Sequence, residues 1–441
     1  MQLPEKVSYI ISLLECAGFE AYAVGGAVRD SIMGLDANDW DITTSALPFE
    51  VQVLFSKFRV IETGIKHGTV SVVIGEEIFE ITTFRTESGY SDHRHPDSVS
   101  FSTNIADDLA RRDFTMNAIA CSPDETVDVF AGVEDIEARV IRCVGDPQVR
   151  FSEDALRILR AMRFSATLGF EIEEKTRKAM SDCKGLLKNV SAERVFVELK
   201  KLLCGKNAFA VLDGCRDILF EIIPEFVACD GFDQRTPHHI YDIYEHIIRS
   251  VEAVKCDVTL RLAMLLHDVA KPDCFFLGDD QKGHFYGHHK PSAEVAKNIL
   301  RRLKCDNETI DDVVFLVENH MTELRAEKKL VKRRLSNMGE KRLRMLVEVQ
   351  KADTIACGTG ENMDKLFEYE RLIDEVVAEG VCFSLKSLAV NGSDIINEGV
   401  AEGVIIGRVL EHLLECVIEE RIENEKSVLI EEARRFVRTS S

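Results

Sequence analysis

Two short patterns near the N-terminus constrain the fold and chemistry of this chain more than any others. An apolar run ends in Gly25-Gly26, and a predicted helix carrying Arg29 follows. Asp39 and Asp41 come next, one residue apart, at the start of a predicted strand. Paired glycines allow a tight turn in which backbone N–H groups contact phosphate at a helix N-terminus. Residues two apart in a strand point to the same side, so the two carboxylates project together.

Two adjacent carboxylates repel each other unless a divalent cation lies between them, and oxygen ligands suit Mg²⁺. A phosphate-binding turn beside such a pair predicts phosphoryl or nucleotidyl transfer. Each half alone is a weak signal, because glycine pairs are common in loops and Asp-x-Asp often marks a solvated strand end. Glu80 is polar inside an apolar strand predicted over 77–84. It is either a third carboxylate of this site or an edge residue facing solvent.

Length and composition predict a soluble multidomain protein. The 441 residues are 45% hydrophobic and 30% charged, enough for about two to four domains. No apolar run approaches about 18 residues and no export signal is visible, so we expect a cytoplasmic protein without a membrane partner. The 13 cysteines are scattered and form no C-x-x-C pair, which is typical of reduced thiols.

The net charge of −21 counts against a nucleic-acid partner unless basic residues cluster locally. They do cluster in two places. The first cluster lies between Arg111 and Arg163. The second comprises Lys328, Lys329, Lys332, Arg333, Arg334, Lys341, Arg342 and Arg344. For the second cluster, an RNA contact and a solvated helix face remain alternatives.

A segment predicted as one helix, residues 151–170, carries Asp154, Arg157, Arg160 and Arg163 at intervals of three. This spacing places them along one helical face. Arginines on a largely buried helix need partners, because an unpaired buried charge is costly. The partners are either structural carboxylates or a substrate, in which case Asp154 and Arg157 contact a base and the later arginines face phosphate.

The substrate alternative has a chemical logic. A carboxylate accepts a hydrogen bond from the exocyclic amino group of cytosine or adenine, and a guanidinium donates to the neighbouring ring nitrogen. Uracil and guanine carry a carbonyl at the position of that amino group. One Asp/Arg pair would therefore select C and A over U and G, at a cost of a few kcal/mol for a mismatched base.

The order of elements indicates an α/β unit over roughly the first 130 residues, followed by a mostly helical chain. We predict a helix over 5–16, paired strands over 67–74 and 77–84, and a helix over 107–120. A polar segment, 85–99, is predicted to be a loop that covers the site.

Five segments then stand in a characteristic order and spacing. They are GGAVRD (25–30), DWDITTSA (39–46), TTFRTESGYSDHRHPDSV (82–99), RRDFTMNAIA (111–120) and EDALRILRAMRF (153–164). Together they resemble class II tRNA nucleotidyltransferases, the CCA-adding enzymes. The resemblance implies a polymerase-β-like palm in which Asp39 and Asp41 bind Mg²⁺, with Glu80 as the candidate third catalytic carboxylate. The residues expected to bind nucleotide are Gly25, Gly26, Arg29, Arg112, Asp113, Asn117, Asp154, Arg157, Arg160 and Arg163.

The activity implied by the resemblance is addition of CMP and AMP to the 3′ end of tRNA, from CTP and ATP, by two-metal nucleotidyl transfer. Bacterial poly(A) polymerases share most of these segments and remain an alternative. Their extra basic run after the palm and basic C-terminal tail are missing from this sequence. Enzymes that add only CC or only A are a further alternative. A non-catalytic RNA-binding protein is disfavoured by the intact Gly-Gly and Asp-x-Asp patterns.

Histidines point to a second site. Eight of the 12 lie between His238 and His320. Their order along predicted helices, His…His-Asp…Asp, resembles the HD phosphohydrolase domain. The resemblance implies a divalent metal (Mn, Ni, Fe or Mg) that activates water, with 2′,3′-cyclic or terminal phosphates of damaged tRNA ends as the expected substrates. The implied ligands are His246, His267, Asp268 and Asp353, with His288 and His320 as further candidates.

The predicted architecture is therefore an α/β nucleotidyltransferase palm followed by all-α neck, body, HD and tail regions. The predicted boundaries are 1–135 for the nucleotidyltransferase head, 136–235 for neck and body, 236–360 for the HD domain and 361–441 for the helical tail.

Overall fold

A computed structural model describes most of the chain. The described residues are 3–62, 64–65, 68–90, 98–236, 239–279, 281–358, 363–379, 384–398 and 403–440. The chain divides into two compact units, Met1–Pro224 and Glu225–Ser441. The first contains a mixed sheet and the second is mainly helical, which confirms the predicted fold class. The finer division into head, neck and body, HD and tail regions stays a prediction.

The strands of the first unit are short. In chain order they are β1 Ala21–Val24, β2 Asp41–Thr44, β3 Arg59–Ile61, β4 Thr69–Ile74, β5 Glu77–Thr83, β6 Arg85–Ser88, β7 Ser98–Phe101, β8 Ala120–Cys121, β9 Thr126–Val127, β10 Val140–Ile141 and β11 Glu171–Ile172. Seven of them form the central sheet, in the order β3-β4-β5-β2-β1-β8-β9. Strands β2 and β5 run parallel, and the other neighbours in this sheet are antiparallel.

The described part of the first unit also contains eleven α-helices. They are α1 Glu5–Cys16, α2 Gly26–Ile32, α3 Pro48–Leu54, α4 Ile105–Ala110, α5 Gly132–Ala138, α6 Pro147–Glu153, α7 Leu156–Leu168, α8 Glu174–Cys183, α9 Ala192–Leu203, α10 Ala208–Gly214 and α11 Arg216–Ile222. The predicted first helix and the predicted strand pair are confirmed. A core cluster beneath β1 and β8 includes Tyr22, Val24, Phe84 and Leu109. This packing fixes the strand that leads into the glycine turn.

Two helix predictions were wrong in part. Over 107–120 only the beginning is helical, because α4 ends at Ala110 and a 3₁₀ turn, Thr115–Asn117, leads into β8. The Asp113 carboxylate accepts hydrogen bonds from the Phe114 N–H and the Asn117 side chain. Such local side-chain bonds compete with helical backbone bonds, so polar residues favour a turn here.

The predicted single helix over 151–170 is two helices. Asp154 lies between α6 and α7 in an extended conformation, with φ −141° and ψ 102°. Its carboxylate accepts a hydrogen bond from the Leu156 N–H, as an N-terminal cap does. The prediction that Asp154 shares one helical face with Arg157, Arg160 and Arg163 is therefore wrong.

The predicted polar loop over 85–99 is a strand pair at its ends. Strands β6 and β7 are antiparallel, with Arg85 opposite Phe101. Residues 91–97, the middle of the predicted covering loop, lie outside the described residues.

Ten helices and one short hairpin make up the described part of the second unit. The helices are α12 Ile243–Ala253, α13 Val258–Leu266, α14 His289–Arg302, α15 Asn307–Asn319, α16 Lys328–Met338, α17 Glu340–Ala356, α18 Met363–Ala378, α19 Gly392–Asn397, α20 Val404–Ile418 and α21 Lys426–Ser440. The hairpin is β12 Phe276–Leu277 and β13 Gly283–His284. Among the described residues, no helix is both long and apolar enough to cross a bilayer.

Gly132 tests the packing of the first unit. A Cβ at this position would overlap the carbonyl oxygen of Thr115, at the start of the turn that carries Asn117. We expect Gly132→Ala to lower the free energy of unfolding of the first unit by about 1–3 kcal/mol. The fluorescence of Trp40, the single tryptophan of the chain and a buried residue, reports this transition during urea denaturation.

Gly185→Ala is the matched control, since a Cβ there meets no described atom within 4 Å. It should leave the free energy of unfolding within about 0.5 kcal/mol of the wild-type value. Equal midpoints for the two variants would contradict the close packing of Gly132.

Candidate active site and metal centre

Three carboxylates converge at one end of the central sheet. Asp41 begins β2 and lies opposite Glu80 of the parallel neighbour β5. Asp39 precedes the strand, and the Trp40 side chain between the two aspartates is buried, so the carboxylates face the other side. The pKa of Asp41 is raised by desolvation, with repulsion from Glu80 and Asp39 adding and Arg112 opposing. A cation bound among these oxygens would relieve that repulsion, so the site fits a divalent metal.

The glycine turn brings the backbone close to this cluster. Gly25 has φ +80°, which disfavours other residues, and it stands directly before α2. A Cβ there would lie 3.3 Å from Arg112 Nη1 and 3.6 Å from Asp41 Oδ2. The absence of a side chain thus keeps the space between the carboxylates and the arginine open.

A polar cavity of about 270 Å³ adjoins the turn. It is lined by Gly25, Gly26, Arg29, Asp41, Arg112, Asp113, Asn117, Arg160, Arg163 and Phe164. Eight of the residues predicted to bind nucleotide are in this lining, together with one predicted metal ligand. Four guanidinium groups around one cavity favour a polyanionic ligand such as a triphosphate.

The arginines surround an aromatic ring that the sequence did not single out. Phe164 is buried, and the guanidinium carbons of Arg29, Arg160 and Arg163 lie 4.9, 5.4 and 3.8 Å from its ring centroid. Cations over a ring face are attracted by its quadrupole. Phe164 therefore helps to hold the three arginines close together. The sequence did not indicate this role, because an apolar residue at this position of α7 is also expected in an ordinary helix core.

Two buried carboxylates balance this positive charge. Asp113 Oδ2 accepts from Arg160 Nε at 2.8 Å, and Glu198 of α9 pairs with Arg163 Nε at 2.6 Å. Burial opposes ionisation of Asp113, but Arg160 and Asn117 outweigh it and lower its pKa to about 2. These ion pairs fit the structural alternative for Arg160 and Arg163, and the substrate alternative stays a prediction. Glu198 was missed because its carboxylate lies on a helix with ordinary amphipathic spacing.

Hydrogen bonds also position the side chains of Arg29 and Arg112 at the cavity. Arg29 Nη1 donates to Asn117 Oδ1 at 2.7 Å. Arg112 Nη2 donates to the buried Asp108 at 3.1 Å, but its buried Nε–H has no hydrogen-bond partner within the described residues. A buried unsatisfied donor is costly unless a ligand accepts from it. This donor fits an anion in the cavity.

Comparison with known proteins agrees with this geometry. A family model described as "Poly A polymerase head domain" matches residues 21–142, and "Probable RNA and SrmB- binding site of polymerase A" matches 169–228. A third, for tRNA nucleotidyltransferase domain 2, matches 286–433. The CCA-adding enzyme of Lactobacillus helveticus is 35% identical over 95% of this chain and 94% of its own length. That of Levilactobacillus brevis is 36% identical over 97% and 98%.

The chain belongs to the CCA-adding enzymes. Among solved structures, the CCA-adding enzyme of Bacillus stearothermophilus in complex with CTP matches 100% of this chain and 99% of its own, with a TM-score of 0.74 and 30% identity. The Thermotoga maritima CCA-adding enzyme, complexed with tRNA, matches with a TM-score of 0.60 at 21% identity, which supports the fold alone. Members of this tRNA nucleotidyltransferase family depend on divalent metal, in keeping with the carboxylate cluster.

The predicted base-reading pair of this family member, Asp154 and Arg157, does not line the cavity. Asp154 is held by Arg194, whose Nη2 donates to Oδ2 at 2.8 Å. Arg157 donates to Glu153 at 2.8 Å and to the Arg111 carbonyl at 3.0 Å. The structure thus separates the predicted base contacts from Arg160 and Arg163, which line the cavity. Arg194 is a partner that the sequence did not indicate.

The basic cluster of the second unit is largely neutralised. Lys332 pairs with Glu420 at 2.7 Å, and Arg333 pairs with Glu415 at 3.0 Å. Lys341 and Arg342 both contact Asp312, at 2.9 and 2.8 Å. These ion pairs favour the solvated structural alternative over an RNA contact for this cluster.

The six candidate metal ligands of the second unit converge on one buried centre. Asp268 lies in the middle: its Oδ2 is 3.6 Å from His246 Nε2 and 3.5 Å from His267 Nε2. Its other oxygen, Oδ1, is 3.0 Å from His288 Nε2 and 3.8 Å from His320 Nε2. The Oδ1 atom of the sixth candidate, Asp353, lies 3.0 Å from His246 Nε2. These distances define two adjoining groups of ligand atoms that share Asp268.

The orientation of the histidine rings at this centre fits a bound cation. The Nδ1 atoms of His267, His288 and His320 lie 2.7–2.8 Å from the carbonyl oxygens of Met264, Phe285 and Val317. A carbonyl only accepts, so each Nδ1 carries the proton and each Nε2 presents a lone pair. The Nε2 atoms of His288 and His320 nevertheless face each other at 3.2 Å. Two facing lone pairs need a proton or a metal ion between them.

The protonation states suit a metal. Burial lowers the pKa of His320 to about 4, with His267 adding to the shift, so its imidazole is neutral at pH 7. Lys271, a buried residue that the sequence did not single out, donates to Asp268 Oδ2 at 2.8 Å. Desolvation opposes ionisation of Asp268, but Lys271 and the histidines hold its pKa well below its usual range. Neutral imidazoles and ionised carboxylates are the forms that bind metal. His267 is the exception: burial opposes its protonation, but Asp268 and Asp353 outweigh burial and raise its pKa, so a metal bound there would displace a proton.

Proposed function

We propose that the chain adds CMP and AMP to the 3′ end of tRNA, using CTP and ATP and no nucleic-acid template. The observation that carries this proposal is the carboxylate cluster of Asp41 and Glu80 beside a cavity lined by four arginines. Full-length similarity to CCA-adding enzymes supports it. Relatives in the same family bind CTP, ATP and tRNA in the structures named for those complexes.

In this proposal Asp39 and Asp41 hold Mg²⁺, with Glu80 as a third carboxylate beside them. When bound, two Mg²⁺ ions would lower the pKa of the tRNA 3′-hydroxyl and neutralise charge on the pyrophosphate leaving group. The 3′-oxygen forms a bond to the α-phosphorus, and the bond to the bridging oxygen of the β-phosphate breaks. The hydroxyl proton passes to a palm carboxylate or to water.

In this proposal the arginines bind the triphosphate. Arg112 offers its unsatisfied Nε–H to a phosphate oxygen, and Gly25 and Gly26 let the backbone approach the same group. Arg160 and Arg163 are already aligned by Asp113 and Glu198, so little side-chain entropy is lost when nucleotide binds. Their positive charge opposes the charge that develops on pyrophosphate.

Loss of either aspartate should remove nucleotide addition. Asp39→Ala and Asp41→Ala each delete an exposed carboxylate at the start of β2, so we expect activity to fall by about a thousandfold or more without loss of fold. The measurement is Mg²⁺-dependent incorporation of labelled CTP into tRNA that lacks its CCA end.

Glu76→Ala, at the turn between β4 and β5, removes an exposed carboxylate outside the candidate metal site and should retain activity. Wild-type rates in Asp41→Ala would refute the metal assignment.

Base choice is assigned to Asp154 and Arg157. Arg194 engages Asp154 but leaves lone pairs on the carboxylate, which has room to accept from the amino group of C or A. Asp154→Ala should therefore reduce the preference for CTP and ATP over UTP and GTP by about a hundredfold. Single-nucleotide incorporation rates with each triphosphate measure this ratio.

Asp146→Ala is the control for this variant, because Asp146 also caps a helix start, that of α6, but lies before the predicted base-reading segment. An unchanged preference in Asp154→Ala would refute the assignment.

We also propose that the second unit is a metal-dependent phosphohydrolase. The specific support is the pair of facing Nε2 lone pairs at His288 and His320, with Asp268 between the two ligand groups. One metal position would use His246, His267, Asp268 and Asp353. The other would use Asp268, His288 and His320. Metal bound here would supply an activated water for hydrolysis of a phosphate ester.

Asp268 is common to both positions, so its loss should empty both. We expect the Asp41→Ala protein to retain about two equivalents of Mn²⁺ or Ni²⁺ after dialysis, and the added change Asp268→Ala to abolish this binding. Elemental analysis of the dialysed protein measures the stoichiometry.

Asp279→Ala removes an exposed aspartate from the β12–β13 hairpin and should leave the metal content unchanged. Full metal retention by the Asp268→Ala protein would contradict the proposed centre.

A further inference from the structure

Three aromatic rings form a cluster beside the candidate metal centre of the second unit. They are Phe276 in β12, His284 in β13 and Tyr286 just beyond it. The His284 and Tyr286 rings are nearly parallel, at 18° and 5.3 Å, and Phe276 lies 5.2 and 5.5 Å from them. Tyr286 is 75% exposed and Phe276 46% exposed. We call these three residues the aromatic platform.

The aromatic platform borders a cavity that reaches the metal ligands. This cavity has a volume of about 420 Å³, and its lining includes His284, Tyr286, Lys271, Asp268 and His288. The buried Lys271 ammonium is thus positioned to contact an anionic group at the metal centre. A stacking surface at one end and a cation at the other are complementary to a nucleoside phosphate.

A second cavity meets the same centre from another side. Its volume is about 680 Å³, and it shares His320, Met321 and Asp353 with the first cavity. Gln350 Nε2 donates to the carbonyl oxygens of His320 and Thr322 at 2.9 and 2.6 Å, which holds this shared wall. Met321 is 58% exposed, an adaptable apolar contact at the boundary. Space for a substituent therefore exists on both sides of the metal ligands.

We propose that the second unit hydrolyses a linear phosphodiester that carries a nucleoside on each side of the phosphorus. One base stacks on the aromatic platform, the phosphate lies at Lys271 and Asp268, and the other nucleoside occupies the cavity beyond Met321. A cyclic phosphate or a monoester would fill only one of the two cavities. The proposal rests on the phosphohydrolase function above and extends it to a substrate with two nucleosides.

The reaction balances without a redox partner. The oxygen of water forms a bond to phosphorus, and the bond from phosphorus to one ribose oxygen breaks. That ribose oxygen takes up the proton released by water. The products are one nucleoside with a free hydroxyl and one nucleoside monophosphate. A free dinucleotide and the 3′ end of an RNA share this chemistry.

The test uses the full-length Asp41→Ala protein, loaded with Mn²⁺, so that the palm does not act on RNA. The substrates are the dinucleotide ApA, an RNA labelled at its 3′ end, adenosine 2′,3′-cyclic phosphate and adenosine 2′-monophosphate. We expect hydrolysis of ApA, and Asp268→Asn should abolish it. Cleavage of the labelled RNA as well as ApA identifies an RNA end as the source, and cleavage of ApA alone identifies free dinucleotides.

Tyr286→Ala should raise the KM for ApA by about tenfold or more with little change in kcat, because the base loses its stacking surface. Tyr286→Phe keeps the ring and should restore the KM. Phe49→Ala, which removes an exposed aromatic side chain from α3 of the first unit, should have no effect.

The outcomes separate the two proposals. Hydrolysis of the cyclic phosphate or the monoester without hydrolysis of ApA or RNA would overturn the inference and leave the phosphohydrolase function standing. No hydrolysis of any of the four substrates by the metal-loaded protein would overturn both. An ApA KM in Tyr286→Ala equal to that of Phe49→Ala would overturn the role of the aromatic platform.

Discussion

The site of the first unit depends on how three arginines are held together despite their mutual repulsion. Phe164 offers its ring to the guanidinium groups of Arg29, Arg160 and Arg163, and the ionised carboxylates of Asp113 and Glu198 offset their charge. Arg29 also pairs with Asp30 and Arg112 with Asp108, so carboxylates hold all four guanidinium groups of the cavity in place. An incoming triphosphate then meets donors that are already oriented, so its binding free energy is not spent on ordering them.

The centre of the second unit brings together acceptor atoms, whereas the site of the first unit brings together cations. Its centre gathers carboxylates and the Nε2 atoms of imidazoles whose Nδ1 atoms face backbone carbonyls, inside a buried space. Lys271 donates a hydrogen bond to one of these acceptors, the Asp268 carboxylate. The rest call for metal cations, because backbone carbonyls fix the protons on the far sides of three imidazoles. In the functions proposed above, a charged ligand completes each site, a polyphosphate in the first unit and metal ions in the second.

The sequence predicted much of this because the chemistry lies in short local patterns. The strand pair and the glycine turn followed from periodicity and spacing. The position of Glu80 beside Asp41 was one of two alternatives that the sequence left open. The six candidate metal ligands of the second unit, which the resemblance implied, lie together. The failures occurred where side chains compete with backbone bonds: Asp113 breaks a predicted helix and Asp154 divides another. Phe164, Glu198, Arg194 and Lys271 were missed because long-range contacts define their roles. Periodicity along one helix carries no signal for a partner on another.

Product length tests the central claim most directly. Purified protein would be incubated with a tRNA lacking its CCA end, Mg²⁺ and all four nucleoside triphosphates, and the products sized and sequenced at nucleotide resolution. The account predicts growth by C, C and A, then arrest, with no U or G incorporated. A lengthening ladder of A would instead identify a poly(A) polymerase. Arrest after CC, or growth only from a CC-ended tRNA, would identify a partial enzyme and contradict complete CCA addition.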